Sequence, residues 1–228
     1  TFLDKKSLDS VLKNMRLPTG QIWSMPILFP KNFDEQIDSV DSLLLKFQGQ
    51  DFAVIEEPTT FEYNLDELIR LLYGTDDENH PGVEISRKGP HIFITGRLRG
   101  LNKLKKILNV HYLEPQEIKD IIKEKSWKSI VGFHTRNVIH RAHEFIQLSA
   151  LSKGKCDGIF LHPVVGKKKS GDYNSSVIIK SYEIMQKYFY PEEKTVLSVF
   201  STYSRYGGEK EALFTALCRK NYGCSHFI

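Results

Sequence analysis

From about residue 112 onward, apolar runs of strand length alternate with stretches of helical periodicity, and no other feature constrains the fold as tightly. Residues 129–133, 158–165 and 195–200 read as buried strands, and His226 begins another. Glu114-Pro115 opens a helix in which Ile118, Ile121 and Ile122 share one face. Further helices are expected over 140–151, with Ala142, Phe145, Ile146 and Ser149 turned inward, over 176–188, and over 209–221, with Gly223 just past the end. Strands and helices alternating at this spacing predict a parallel sheet with helices on both faces. Ligands of such sheets bind at the carboxyl ends of the strands, so chemistry is expected in the loops after Phe133, Val165 and Phe200.

The half before this alternation has a different texture. Residues 22–29, 52–55 and 91–95 are apolar, partly β-branched runs broken by Pro and Gly; 76–82 is rich in turn residues, and a short helix fits 65–72. This predicts a β-rich barrel or sandwich module over 1–111, followed by an α/β domain over 112–228. At 40% hydrophobic and 26% charged residues, both can bury a core. A net charge of +4, spread along the chain, is too weak to argue for nucleic acid but suits an anionic small substrate. Cys156, Cys218 and Cys224 form no CxxC pair, which argues against a disulfide framework or zinc ribbon and for a reducing, cytoplasmic compartment. No apolar run is long enough for a membrane span. The chain opens at Thr1 and stops in the apolar His226-Phe227-Ile228, which reads as a piece of a longer protein, incomplete at both ends.

Three loops carry the candidate chemistry. The first, G-F-H-T-R-N-V-I-H-R-A-H from Gly132 to His143, puts Thr135, Arg136 and Asn137 in a turn, and His140 and His143 at i, i+3 on a helix's first turn. Free backbone N–H groups at that helix start favour an anion, and with Arg136, Arg141 and the Asn137 amide the set suits a polyphosphate. Zinc fits poorly, because the metalloprotease spacing is i, i+4 with a Glu between, and two arginines would repel a dication. The second loop, L-H-P-V-V-G-K-K-K-S-G-D, offers His162, Gly166 and Lys169; a P-loop is excluded because Leu161 and Lys168 stand where Gly and Ser/Thr are required. By charge patterning alone, its Lys167–Lys169 run reads as a solvated loop. In the third, S-R-Y-G-G-E-K-E-A, Arg205 precedes Gly207 and Gly208, whose backbone can approach a ligand, although alone it reads as a loop before a helix. No GxGxxG is present.

At these residues the chain resembles the ATP sulfurylase family. That family's Q-T-R-N-P-x-H-R-A-H is matched by H-T-R-N-V-I-H-R-A-H, its L-H-P-L-V-G-x-x-K-x-G-D by Leu161 to Asp172, and its R-Y-A-G-P-R-E-A by Arg205 to Ala212. R-K-N-Y-G-C-T-H-F-I is similar to Arg219 to Ile228, and Met15 to Ile27 and Tyr73 to Val83 resemble its β-rich, PUA-like N-terminal domain. The resemblance implies a Rossmann-like HxxH nucleotidyltransferase domain that joins sulfate to the AMP moiety of MgATP, releasing pyrophosphate. It implies that Arg136 holds sulfate, that Asn137 touches the nucleotide phosphates, and that His140 and His143 bind phosphates and stabilise the transition state. Thr135, with these four, completes the catalytic set. His134, His162, Gly166, Lys169, Arg205, Gly207 and Gly208 fall at substrate- or nucleotide-binding positions. Mg²⁺ is expected with ATP, with no protein metal site, no nucleic-acid or membrane partner, and room for a homo-oligomer.

Three departures stand out. The family's sulfate-binding Gln is His134, an imidazole whose charge is expected to vary with pH. Val138 replaces a proline, and R-Y-A-G-P-R has become R-Y-G-G-E-K, placing Glu209 in the third loop. The family's G-R-D-H segment would follow Ile228. The alternatives are a nucleotidyltransferase acting on another oxyanion or phosphorylated acceptor, or a non-catalytic nucleotide-binding homologue.

Overall fold

A computed structural model describes residues 2–34, 36–37, 39–47, 49–101, 111–166 and 171–228. It comprises two compact units, Thr1–Leu104 with Arg205–Phe214, and Lys105–Ser204 with Thr215–Ile228. None of the described helices is long and apolar enough to cross a membrane.

The first unit holds an antiparallel sheet in the order β1-β4-β3-β2: β1 Phe29–Pro30, β2 Ser42–Phe47, β3 Gln50–Glu62 and β4 Ile92–Gly100. The strand expected over 22–29 contracts to Phe29–Pro30, with Ile22 making only a single bridge to Arg16. Pro26 has no N–H to continue a ladder through that stretch. Helix α1, Lys5–Asn14, was not expected; Asp4 caps it by accepting the Ser7 N–H at 2.7 Å, and Leu8, Val11 and Leu12 bury one face. Helix α2, Leu65–Tyr73, matches the expected helix, opened by Asn64 accepting the Glu67 N–H and closed by left-handed Gly74. The turn-rich stretch partly becomes α3, Pro81–Arg87, with Pro81 in its first turn.

The second unit bears out the parallel sheet. Strands β5 (Ile130–Phe133), β6 (Gly158–Leu161), β7 (Thr195–Leu197) and β8 (His226–Phe227) are all parallel and lie in the order β7-β6-β5-β8. Two strands are shorter than expected, because Pro163 interrupts the ladder; Val164 resumes it as a single bridge to Phe200. Helices α4 (Pro115–Glu124), α5 (Arg141–Ser152) and α6 (Ser175–Tyr188) follow the expected pattern, and α7 spans Gly208–Asn221.

Alternation along the strands divides the core into two layers. Val131, Phe133, Ile159 and Leu161 face Ile178 and Tyr182 of α6, with Leu148 and Leu151 of α5 packed beside them. Ile130 and Phe160 face the other way, onto Ile118 of α4 and Tyr222 and Cys224. Chain order runs outward from β5 through β6 to β7, then returns to place β8 on the opposite side of β5. The switch point, where loops diverge and leave a crevice, is therefore at the tip of β5.

One helix face is corrected. Phe145 is 68% exposed, and Ala142 and Ile146 are also exposed, whereas Gln147 is fully buried. The Gln147 side-chain amide oxygen accepts a hydrogen bond from the Tyr190 hydroxyl, so a polar partner inside the core turns α5 away from its most apolar side.

Candidate functional site

The loop leaving β5 is built as a tight turn anchored by its own backbone. The Thr135 hydroxyl accepts the Asn137 N–H at 3.2 Å, and the buried Thr135 carbonyl accepts the Val164 N–H at 2.8 Å, tying the first loop to the second. The Ser181 hydroxyl receives the Ile139 N–H at 3.3 Å, and the chain enters α5 at His140. His140 has an extended backbone and does not cap the helix with its side chain, so the imidazole is available for another role.

His140 and His143 stack, with ring centroids 3.8 Å apart, and His143 meets the edge of Phe133 at 5.4 Å. The two imidazoles thus form one surface at the helix start, the arrangement expected from their i, i+3 spacing. Burial first, and the neighbouring His140 second, hold His143 below the ordinary imidazole value. Arg141 points away; its largely exposed guanidinium pairs with Glu144 at 2.7 Å. Arg136 is half-buried and Asn137 exposed in the turn between.

The other face of the strand tip carries a second group. By strand parity Gly132 and His134 fall on the same face as Phe160 and His162. The His162 side chain is fully buried, its ring 4.4 Å from Phe160, 5.0 Å from Phe200 and 4.7 Å from Tyr222. Burial, and then the charge of Arg219, hold His162 well below the ordinary imidazole value. The same two causes, in the same order, push His134 down to about 3. His134 is therefore a neutral imidazole across the physiological range, which corrects the expectation that its charge varies with pH.

Gly166 lies against the third strand's continuation, where an added Cβ would stand 1.9 Å from the Thr202 carbonyl oxygen. Lys169 and the rest of the lysine run at 167–170 lie outside the described residues. Arg205, Gly207 and Gly208 belong to the first compact unit. There the Glu211 carboxylate accepts the Arg205 N–H at 2.7 Å and the Gly207 N–H at 3.1 Å, and Gly208 adopts a left-handed φ of 55°. The Gly207 amide that sequence reading offered to a ligand is thus held by the protein itself. Among the described residues, no group of three or more His, Cys, Asp or Glu is arranged to hold a metal ion.

One residue escaped sequence reading. Arg219, on α7, is fully buried, and its stem lies over Gly132, where a Cβ would be 2.9 Å from the Arg219 Cγ. An arginine on a helix otherwise flanked by core residues, with a glycine inside a buried strand, is the only sequence signal of this contact.

A family model described as ATP-sulfurylase matches residues 110–228, and one described as PUA-like domain matches 1–103. Sulfate adenylyltransferases of Halothermothrix orenii and Pyrococcus abyssi are 39% and 37% identical to the chain over its whole length, which covers 60% and 59% of theirs. That of a Synechococcus strain is 36% identical, with 58% of its length covered. The chain therefore spans about three-fifths of the length of these relatives. A solved structure titled hexameric APS kinase from Thiobacillus denitrificans shares the fold, with a TM-score of 0.75 over 99% of this chain and 41% of that one, at 17% identity.

Proposed function

This chain belongs to the ATP-sulfurylase family, and from that premise we propose that it is part of a sulfate adenylyltransferase whose substrates are MgATP and sulfate. In the proposed reaction a sulfate oxygen attacks the α-phosphorus in line. The bond from that phosphorus to the bridging oxygen breaks, and its electron pair leaves with pyrophosphate, so that adenylyl sulfate is formed without a covalent enzyme intermediate. Residues 1–111 form the PUA-like part and 112–228 the catalytic part in this reading.

The observation that carries it is the stacked His140–His143 pair at the start of α5, at the switch point of the sheet. Donors placed there face oxygens that gain charge as the α-phosphorus is attacked. Arg136 holds sulfate and Asn137 the phosphates. Neutral His134 takes the position of the family's amide and donates one N–H to the acceptor, and Thr135 fixes the turn that carries them. Gly166 lets the second loop approach closely, His162 and Lys169 belong to that loop, and the Arg205 side chain and Gly208 serve the nucleotide, with Gly207 contributing small size rather than its N–H, which Glu211 holds. Imidazole, guanidinium and amide groups suit phosphate oxygens better than a cation, so Mg²⁺ arrives with the triphosphate. A cytoplasmic homo-oligomer that binds neither nucleic acid nor membrane completes the proposal.

The test is exchange of labelled pyrophosphate into ATP by the full-length protein, with and without sulfate. Exchange should require sulfate, and His140→Ala should lower it by roughly 100-fold or more. Exchange supported only by another oxyanion or a phosphorylated acceptor would overturn the choice of sulfate. Nucleotide binding without any exchange would leave a non-catalytic homologue.

A further inference from the structure

Arg219 is the largest fully buried side chain among the described residues. Its Nη2 donates to the His162 carbonyl at 2.9 Å, its Nη1 to the Thr215 carbonyl at 3.3 Å, and its guanidinium lies 4.3 Å from the centre of the Phe200 ring. Its Nε has no partner, and no Asp or Glu pairs with it among the described residues. Two of the acidic groups near it, Cys224 and Tyr222, bring no compensating charge. Burial pushes the Cys224 thiol up to about 12 and raises Tyr222, so both stay neutral. Arg219 itself, though lowered to about 10 by burial, remains a cation at neutral pH.

A buried charge without a counter-ion is costly, and replacing buried ionic groups by apolar residues of similar volume is often neutral or stabilising. Here the chain makes room for it instead: Gly132, inside β5, leaves the space its stem occupies. Gly132 of β5 and the His162 carbonyl just past β6, on the segments that lead into the first two loops, both lie against it.

We propose that Arg219 is a positioning residue for the strand-tip site, a fixed cation beneath the ends of β5 and β6 whose counter-charge is supplied by the substrate anion bound above them. This deepens the reading of that site as an anion site and rests on it. The charge acts across the His134 and His162 layer without touching substrate. It favours an anion at the tip, and its fork holds the His162 carbonyl in place.

The test compares Arg219→Met and Arg219→Lys in the full-length protein, by calorimetric binding of inorganic sulfate and inorganic pyrophosphate and by thermal unfolding without anion. Arg219→Met should unfold at the same or a higher temperature than the wild type, yet bind both anions at least roughly tenfold more weakly. Arg219→Lys, which keeps the charge and loses the fork, should recover most of that affinity. Unchanged affinity in Arg219→Met overturns the proposal, as does a folded Arg219→Lys that binds as weakly as the methionine variant. Failure of both variants to fold would mean that the arginine serves the core, and would also overturn it. Wild-type protein that binds neither anion would instead refute the reading of the site.

Discussion

His134→Gln isolates a strongly perturbed titrating group at the strand tip. In the folded chain this imidazole is pushed down to about 3, first by burial and then by Arg219, from an ordinary 6.5. Between those values the unfolded chain carries a proton that the folded chain refuses. The unfolded state therefore binds more protons, and stability must rise with pH across the window. The sign follows: stability is complete above about pH 6.5 and is lost as pH falls toward 3. At about pH 7.5 the penalty is under ~0.1 kcal/mol, and at about pH 5.5, where the unfolded imidazole is some ten to one protonated, it is about 1.4 kcal/mol. Residual exposure of the ring brings the expected effect to about 1 kcal/mol. Glutamine keeps a neutral donor and has no such titration. The measurement is urea unfolding of both proteins at the two pH values. The wild type should lose about 1 kcal/mol more than the variant on going to the lower pH. His162, His143 and the carboxylates are present in both chains, so their contributions cancel in the difference. Parallel stability curves would refute the claim that His134 is held neutral.

The remaining predictions concern packing. Gly166→Ala would drive a Cβ to 1.9 Å from the Thr202 carbonyl oxygen, backbone against backbone, and should cost about 1–3 kcal/mol in urea unfolding. Gln147→Ala would leave the Tyr190 hydroxyl without its acceptor inside the core, costing about 1–3 kcal/mol. In the same 228-residue chain Phe145→Ala, on the exposed side of α5, should cost less than about 0.5 kcal/mol. The reverse order would restore the helix face read from sequence.

The parallel sheet was legible because its strands are buried on both faces, so Ile130–Phe133 and Gly158–Leu161 are short runs with little polar interruption. The histidine pair was legible for a local reason: i, i+3 spacing after a strand is enough to bring two rings together. Helix α1 was harder, with three apolar residues among lysines and an N-cap at the chain start. Strand β2 offers three consecutive leucines, Leu43, Leu44 and Leu45, with no alternation to mark its period. For α5, apolar residues occur all round the helix, and the choice of face fell to a polar contact, Gln147 with Tyr190, that spacing cannot reveal. Arg219 needed three separated segments to meet, the loop after β6, the interior of β5 and the end of α7, and nothing local announces that.

Strand parity explains why the four imidazoles of this site cannot share one role. His140 and His143 sit above β5 on the α5 side, stacked at a helix start and backed by Phe133. By strand parity His134 and His162 fall on the opposite face, His162 against Phe160, where burial first and the charge of Arg219 second hold both below the ordinary imidazole value. A neutral ring can donate one N–H and accept at its other nitrogen, but it cannot offset the charge of an anion. In the proposed reaction, charge neutralisation at the tip falls to Arg136 and the field of Arg219, while His134 and the stacked His140–His143 pair supply directed N–H donors. In that reaction, the replacement of the family's glutamine by His134 exchanges one neutral donor for another.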